Sequence, residues 1–290
     1  MDPIARTALL TAAERARESR RPDRLFEDPL AELLAGEQGA ALADAMPEAS
    51  RNRIMAIRTR FFDDWLAEVT NQGVHQIVLV AAGMDSRAFR LDWPAGTRLW
   101  ELDRPELLAA KRELLDKANS RPSCERTEVR VDLTNEGWPA RLQRAGFQTE
   151  LPSAWLAEGL LVYLRAASAE RLLRQIAESA APGSRLGTDF VSKSFLRSPW
   201  MQSYLHWLAE QGAPWRFGSD RPEDFLAACG WRATAVRQPG EEGVGAGLLP
   251  WPVVPRQVPD IPRSFLVTAD RLTTVVRQDQ PGTNASPRIT

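Results

Sequence analysis

Four stretches of this 290-residue chain place a glycine or an acid at the end of a strand-like run. Gly83 and Asp85 follow Gln76–Ala81, and Glu101 and Asp103 close the run from Arg98 to Leu102. Asp132 and Leu133 follow Glu128–Val131, and Glu158 with Gly159 follows Ala154–Ala157. Each alone has an ordinary explanation: a turn glycine, or an acid that caps a helix. If the runs are neighbouring strands, all four groups reach one rim, where open α/β sheets bind their ligands. An acid 20 residues past a glycine turn, as Asp103 is past Gly83, can accept from both hydroxyls of a ribose. The turn reads Ala81-x-Gly83-x-Asp85, without the three glycines that admit a pyrophosphate, and an acid would face that pyrophosphate. NAD and FAD are therefore disfavoured. The lysine-bearing phosphate loop of nucleoside triphosphate enzymes is also missing.

The elements that must position these groups alternate. Within Gln76–Ala81 the residues from Ile77 on form a continuous apolar, largely β-branched run, as expected of a strand buried on both faces. Strands are expected at 98–102, 128–131, 154–157 and 185–191. Helices are expected at 105–119, 138–146, 168–180 and 220–228. This alternation argues for an open, mainly parallel α/β sheet. Two late strands, 231–236 and 264–268, have only the Gly/Pro-rich stretch 239–262 between them, which suggests an antiparallel hairpin at the sheet edge. Residues 1–72 read as a helical cap, with helices at 5–20, 28–34 and 51–70, and Asp28-Pro29 as a helix start. The α/β core is expected over 73–278. An aromatic lid insertion interrupts it at 192–217, with no strand of its own, and 279–290 is expected to be a disordered tail.

Composition narrows the classes. Net charge is −1, so no overall positive field recruits nucleic acid or an anionic membrane. No apolar run approaches the ~20 residues of a membrane span. The opening Met1-Asp2-Pro3 lacks the layout of a secretory signal. Two cysteines, Cys124 and Cys229, and two histidines, His75 and His206, are too few for a disulfide framework or a His-rich metal centre. These features point to a cytoplasmic protein that needs no metal. The sequence does not fix its oligomeric state.

A ligand with adenosine and no phosphate fits the rim best. S-adenosyl-L-methionine is one, and its cationic sulfonium and ammonium tolerate acids such as Glu158. The stretch Val80–Leu91, Glu101-Leu102-Asp103 and the run from Ala157 to Leu164 together resemble the leucine carboxyl methyltransferase superfamily. The resemblance is closer to its bacterial branch of S-adenosylmethionine-dependent O-methyltransferases, some of which act in polyketide pathways. Arg24–Pro29, Arg58–Asp64 and Phe265–Ala269 extend the resemblance over most of residues 5–270. It implies a class I Rossmann-like methyltransferase sheet of seven strands under an N-terminal helical cap. By motif, Gly83 would let the backbone approach the cofactor's methionine part, and Asp103 would hold the ribose. Asp132 and Leu133 would flank the adenine, and Glu158 would lie beside the ammonium. The segment from Asn52 to Thr59 resembles the part whose arginine binds the cofactor carboxylate, which points to Arg53. Arg15 or Arg17 would assist it. Ala81 departs from the family, which usually has glycine there.

The acceptor decides whether a base is needed. A carboxylate, with a pKa near ~4, is already ionised at neutral pH, whereas a phenol near ~10 needs deprotonation, usually by histidine. His206, in the aromatic insertion, is the candidate base, with a packing or surface residue as the alternative. Tyr163, Arg197 and Tyr204 are candidate acceptor contacts. The expected activity is O-methylation of a carboxylate or hydroxyl on a small secondary metabolite. The alternatives are methylation of a protein C-terminal carboxylate, a cofactor-binding regulator without catalysis, and an NAD-dependent oxidoreductase.

Overall fold

The computed structural model describes residues 3–272, so the expected tail and the last few residues assigned to the core lie outside the described residues. Seven strands, β1 (Gln76–Val80), β2 (Arg98–Asp103), β3 (Glu125–Arg130), β4 (Ser153–Ala157), β5 (Arg185–Val191), β6 (Trp231–Arg237) and β7 (Ser264–Arg271), form one sheet in the order β3-β2-β1-β4-β5-β7-β6. The first five are parallel. β7 runs antiparallel between β5 and β6, so the late hairpin lies at the sheet edge as its spacing suggested. β1 is buried along its whole length because it is central, between β2 and β4, and its apolar run serves both faces. The chain winds outward from β1 in both directions. The carboxyl ends of β1 and β4 therefore border the crevice where such sheets bind ligands.

Ten helices surround the sheet among the described residues: α1 (Pro3–Ser19), α2 (Ala31–Ala45), α3 (Ile54–Asn71), α4 (Arg87–Arg90), α5 (Pro105–Lys117), α6 (Trp138–Arg144), α7 (Ala166–Ser179), α8 (Lys193–Arg197), α9 (Gln202–Glu210) and α10 (Pro222–Ala228). One face of the sheet buries Trp100, Trp155 and Trp231 against α6, α7 and α10. The other packs Ile77, Leu79 and Leu156 against Ile57, Phe62 and Leu66 of α3. α1 and α2 form a separate cluster with α5 and α9, and this cluster includes Met84 from the loop after β1.

Three local features refine the expectations. The second helix spans Ala31–Ala45, well past Leu34, because its two glycines have structural roles. Gly36 kinks the helix at φ +57°, and Gly39 packs against the carbonyl of Leu9, where a side chain would clash. Asp28 Oδ1 accepts from the Leu30 N–H at 3.2 Å, the bond expected of an acid at this helix start, while its other oxygen has a second use. Its side chain is fully buried and turns to Arg15 and Ser86. The aromatic insertion is largely helical, built from α8, a short 3₁₀ turn at 199–201 and α9.

Candidate functional site

Strand register brings the rim together. Val80 pairs with Leu102, and Leu79 pairs with Leu156, so the residues after β1 lie between Asp103 and Glu158. Ala157 pairs with Thr188, which puts Asp189 of β5 beside Glu158. A cavity of about 790 Å³ opens above these ends. Gly83, Asp103, Asp132, Leu133 and Glu158 all line it, together with Arg15 from α1.

The loop after β1 is tightly held. Asp103 Oδ2 accepts from the Gly83 N–H at 2.7 Å, and Oδ1 accepts from the Arg104 N–H at 2.7 Å. Burial still pushes the Asp103 carboxyl above its ordinary value, against those two donors. Gly83 has φ +51°, and a Cβ there would come within 3.0 Å of Ala8 on α1. Ala81 also has a positive φ, +56°, a conformation that favours glycine. The turn is therefore kept without the residue that makes it cheap. Asp132 is half-buried, and its Oδ1 accepts from the backbone and hydroxyl of Thr134, which lowers its pKa.

Beside this loop runs a network of buried charges. Arg87 bonds Asp63 at 2.7 Å, contacts Asp85, and has Nη2 2.9 Å from Glu158 Oε2. Arg90 takes Asp63 through both of its terminal nitrogens. Arg15 bonds Asp28 Oδ2 at 2.8 Å and the Met84 carbonyl at 2.5 Å. Arg58, on α3, bonds Glu158 Oε1 at 2.8 Å and reaches Asp189 Oδ2 at 3.3 Å. The other oxygen of Asp189 accepts from the Gly159 N–H at 2.6 Å. Burial would raise Asp85, but Arg87, with Lys111, Arg15 and Arg90, overcomes it and holds the carboxyl at about 2. Glu158 is likewise lowered, its burial outweighed by Arg87 and Arg58. In Asp189 burial wins over Arg58, and the carboxyl is raised.

Three expected site residues lie elsewhere. Arg53 does not reach the cavity; it pairs with Glu18 and with Asp23 at 2.9 Å, one step before α3 begins. The arginine of this segment that lines the cavity is Arg58, which lies on the same face of α3 as Phe62, Trp65 and Leu66. A charge on that apolar stripe was the available signal. Arg197 is exposed and does not line the cavity. His206 is 76% exposed at its side chain, pairs with Glu210 at 3.2 Å and does not line the cavity, so it is not placed to act as a base. The reason is helical phase: two residues from Tyr204, it sits ~200° around α9.

Tyr163 and Tyr204, the chain's two tyrosines, both line the cavity. Burial pushes the Tyr204 phenol well above its usual value. Its ring stacks on Trp207 and meets Trp215 edge-on at 5.5 Å. The sequence reading missed Asp189, an acid inside an apolar strand. It also missed the 239–262 stretch, which supplies Leu249, Trp251 and Val253 as a cavity wall.

The donor set fits a sulfonium nucleoside. Asp103 and Glu158 bring two carboxylates to the rim, and because Glu158 already faces Arg58 at Oε1 and Arg87 at Oε2, 2.8 and 2.9 Å away, an ammonium seated there would share it with those two cations. Sheet order, crevice and acids define the class as a Rossmann-like methyltransferase fold. Two solved structures share it at TM-score 0.61. One is from Streptomyces avermitilis (15% identical, 90% of this chain and 96% of that one), the other from Thermobifida fusca (16%, 92% and 94%).

Residues 8–177 match the family described as leucine carboxyl methyltransferase, and the chain belongs to that family. Its cofactor is S-adenosyl-L-methionine. A relative from Parafrankia sp. is 51% identical over 195 residues, 64% of this chain and 63% of that protein. One from Mycobacteroides abscessus is 43% identical over 206 residues, 65% of each. One from Streptomyces coelicolor is 41% identical over 240 residues, 79% of this chain and 83% of that protein. All three carry names that place them among S-adenosyl-L-methionine-dependent methyltransferases. The chain's match spans less than two thirds of the first two relatives. Among the described residues, no helix is long and apolar enough to cross a membrane.

Proposed function

We propose that the protein transfers a methyl group from S-adenosyl-L-methionine to a carboxylate or hydroxyl oxygen of a small molecule, a secondary metabolite of the polyketide type. The observation that carries this reading is the second half of the cavity. Phe195, Met201, Tyr204 and Trp215 line it as one packed group, and Trp251 and Val253 line it too. A cavity of about 790 Å³ with aromatic walls suits a flat molecule better than a peptide terminus, for which an open groove is expected.

When bound, the cofactor supplies an electrophilic methyl group on a sulfonium. Asp103 would accept from its ribose, Asp132 and Leu133 would flank its adenine, and Glu158 would take its ammonium. Arg15 and Arg58 line the same half and are the cations available to its carboxylate. The protein's share of the reaction is alignment and exclusion of water. Tyr163 and Tyr204 offer hydroxyls that would orient the acceptor oxygen. With His206 facing solvent, an acceptor that is already ionised needs no base from the chain.

The test is methyl-labelled S-adenosyl-L-methionine incubated with the full chain and a panel of aromatic acids and phenols. Label in an oxygen-linked product supports the reading. Label that appears only in peptides with a free C-terminal carboxylate, and in none of the small molecules, would overturn it.

A further inference from the structure

The cavity is electrically lopsided. Acids crowd the end beneath β1 and β4, while the far wall carries Arg263, just before β7. Arg15, Arg58, Arg87 and Arg90 line the cavity too, and each faces a carboxylate within 3 Å. Arg263 faces none within 4 Å among the described residues, although it is only 8% exposed. Asp220, the acid whose field reaches it, lies beyond that distance. Three of its five N–H groups are spent on backbone carbonyls: Ile261 at 3.0 Å, and Pro255 and Val258 at 2.7 Å each. Its buried Nε–H has no acceptor. Burial and the neighbouring Arg256 both push its pKa below the usual arginine value, as a cation without a counter-charge requires. A buried charge held in place with no partner is expensive to keep for packing alone. The carbonyls fix its position but do not neutralise it.

The sheet gives its distance from the chemistry. Ser192 and Arg263 pair through their backbones, so Arg263 stands three residues beyond Asp189 along β5 and one strand across. At ~3.3 Å per residue and ~4.8 Å per strand, its Cα is about 14 Å from that of Glu158, which is two strands away. A group held by Arg263 is therefore not the group that meets a methyl donor seated beside Glu158.

We propose that Arg263 is a specificity residue for the methyl acceptor. It binds a carboxylate at the end of the acceptor remote from the oxygen that is methylated. The acceptor class is an apolar, ring-containing acid whose body lies along Phe195 and whose edge reaches Trp200 and Trp251, both exposed at the cavity mouth. This rests on the methyltransferase reading above and adds the charge of the substrate.

The experiment is calorimetric titration of the full chain, saturated with S-adenosylhomocysteine, with 2-naphthoate and with its neutral analogue 2-naphthamide. The wild type is expected to bind the acid at least about tenfold more tightly, as a charge-assisted contact gives. Arg263→Met is expected to abolish that preference, and Arg263→Lys to keep part of it. Because Arg263 also ties down the 255–261 backbone, S-adenosylhomocysteine affinity is measured in each variant. A purely structural residue would weaken acid and amide alike. A wild type that binds both probes equally or neither, or a preference that survives in Arg263→Met, overturns the proposal. Failure of S-adenosylhomocysteine to bind the wild type would instead strike the methyltransferase reading itself.

Discussion

The Asp103 carboxylate accepts the Gly83 N–H at 2.7 Å, so the acid that would hold the ribose also pins the loop beneath the methionine part. The two ends of the cofactor site are thus one unit. Asp103→Ala is expected to weaken S-adenosylhomocysteine binding by about 1–3 kcal/mol and to lower stability as well. Calorimetry and thermal melting check both. Unchanged affinity would remove Asp103 from the ribose role.

Ala81 holds φ +56° in the same loop, a conformation that costs a non-glycine residue about 1 kcal/mol or more. Ala81→Gly is expected to stabilise the protein by about 1 kcal/mol, after the entropy lost to a freer unfolded chain. Ala81→Val, with a branched Cβ, should do the opposite and by more. Thermal melts of the two variants should therefore move in opposite directions. A melting temperature that falls in both would mean the turn does not need the left-handed conformation.

Most of the framework was legible because it is built from local signals. β1 announces itself as an unbroken apolar run, and the acids after β2, β3 and β4 follow runs of their own. What was not legible depends on phase and on distant partners. Glu125–Thr127 of β3 reads as loop because the strand is a polar edge, its Arg126 spent on Glu101. Arg53 and Arg58 are equivalent in sequence terms. They lie five residues and ~140° apart on a helix, and only the packing of α3 shows which one meets Glu158. Asp189 and the 239–262 wall came from parts of the chain with no motif at all.

Arg58 and Arg53 separate cleanly by experiment. Arg58→Met leaves Glu158 and Asp189 facing each other without their shared cation, and removing one partner of a buried pair costs about 3–5 kcal/mol. It should lower stability and weaken the cofactor together. Arg53→Met strands Glu18 and should lower stability while leaving S-adenosylhomocysteine affinity unchanged. Equal loss of affinity in both variants would contradict the assignment.

His206→Ala is expected to leave turnover, its pH profile and stability unchanged. An exposed i,i+4 pair with Glu210 contributes at most about 0.5 kcal/mol. A lost basic limb in the pH–rate profile would return His206 to the chemistry.

The acid limb of stability should belong largely to Asp85. Its carboxyl is held at about 2 in the fold by Arg87 and the cations around it, against an ordinary value near ~3.9 in the unfolded chain. A depressed folded pKa adds stability above the unfolded value, and that contribution drains away as pH falls from ~4 towards ~2. The difference corresponds to roughly 2 kcal/mol in that window. Asp189 works against this trend, because its raised carboxyl favours the fold as protons bind. Melting temperatures between pH 6 and pH 2.5 should fall steeply below pH 4 in the wild type. In Asp85→Asn they should start lower and fall less. Arg87 would still be held by Asp63 and Glu158 in that variant, so the fold should survive for the comparison. Parallel curves for the two proteins would show that acid sensitivity arises elsewhere in the network.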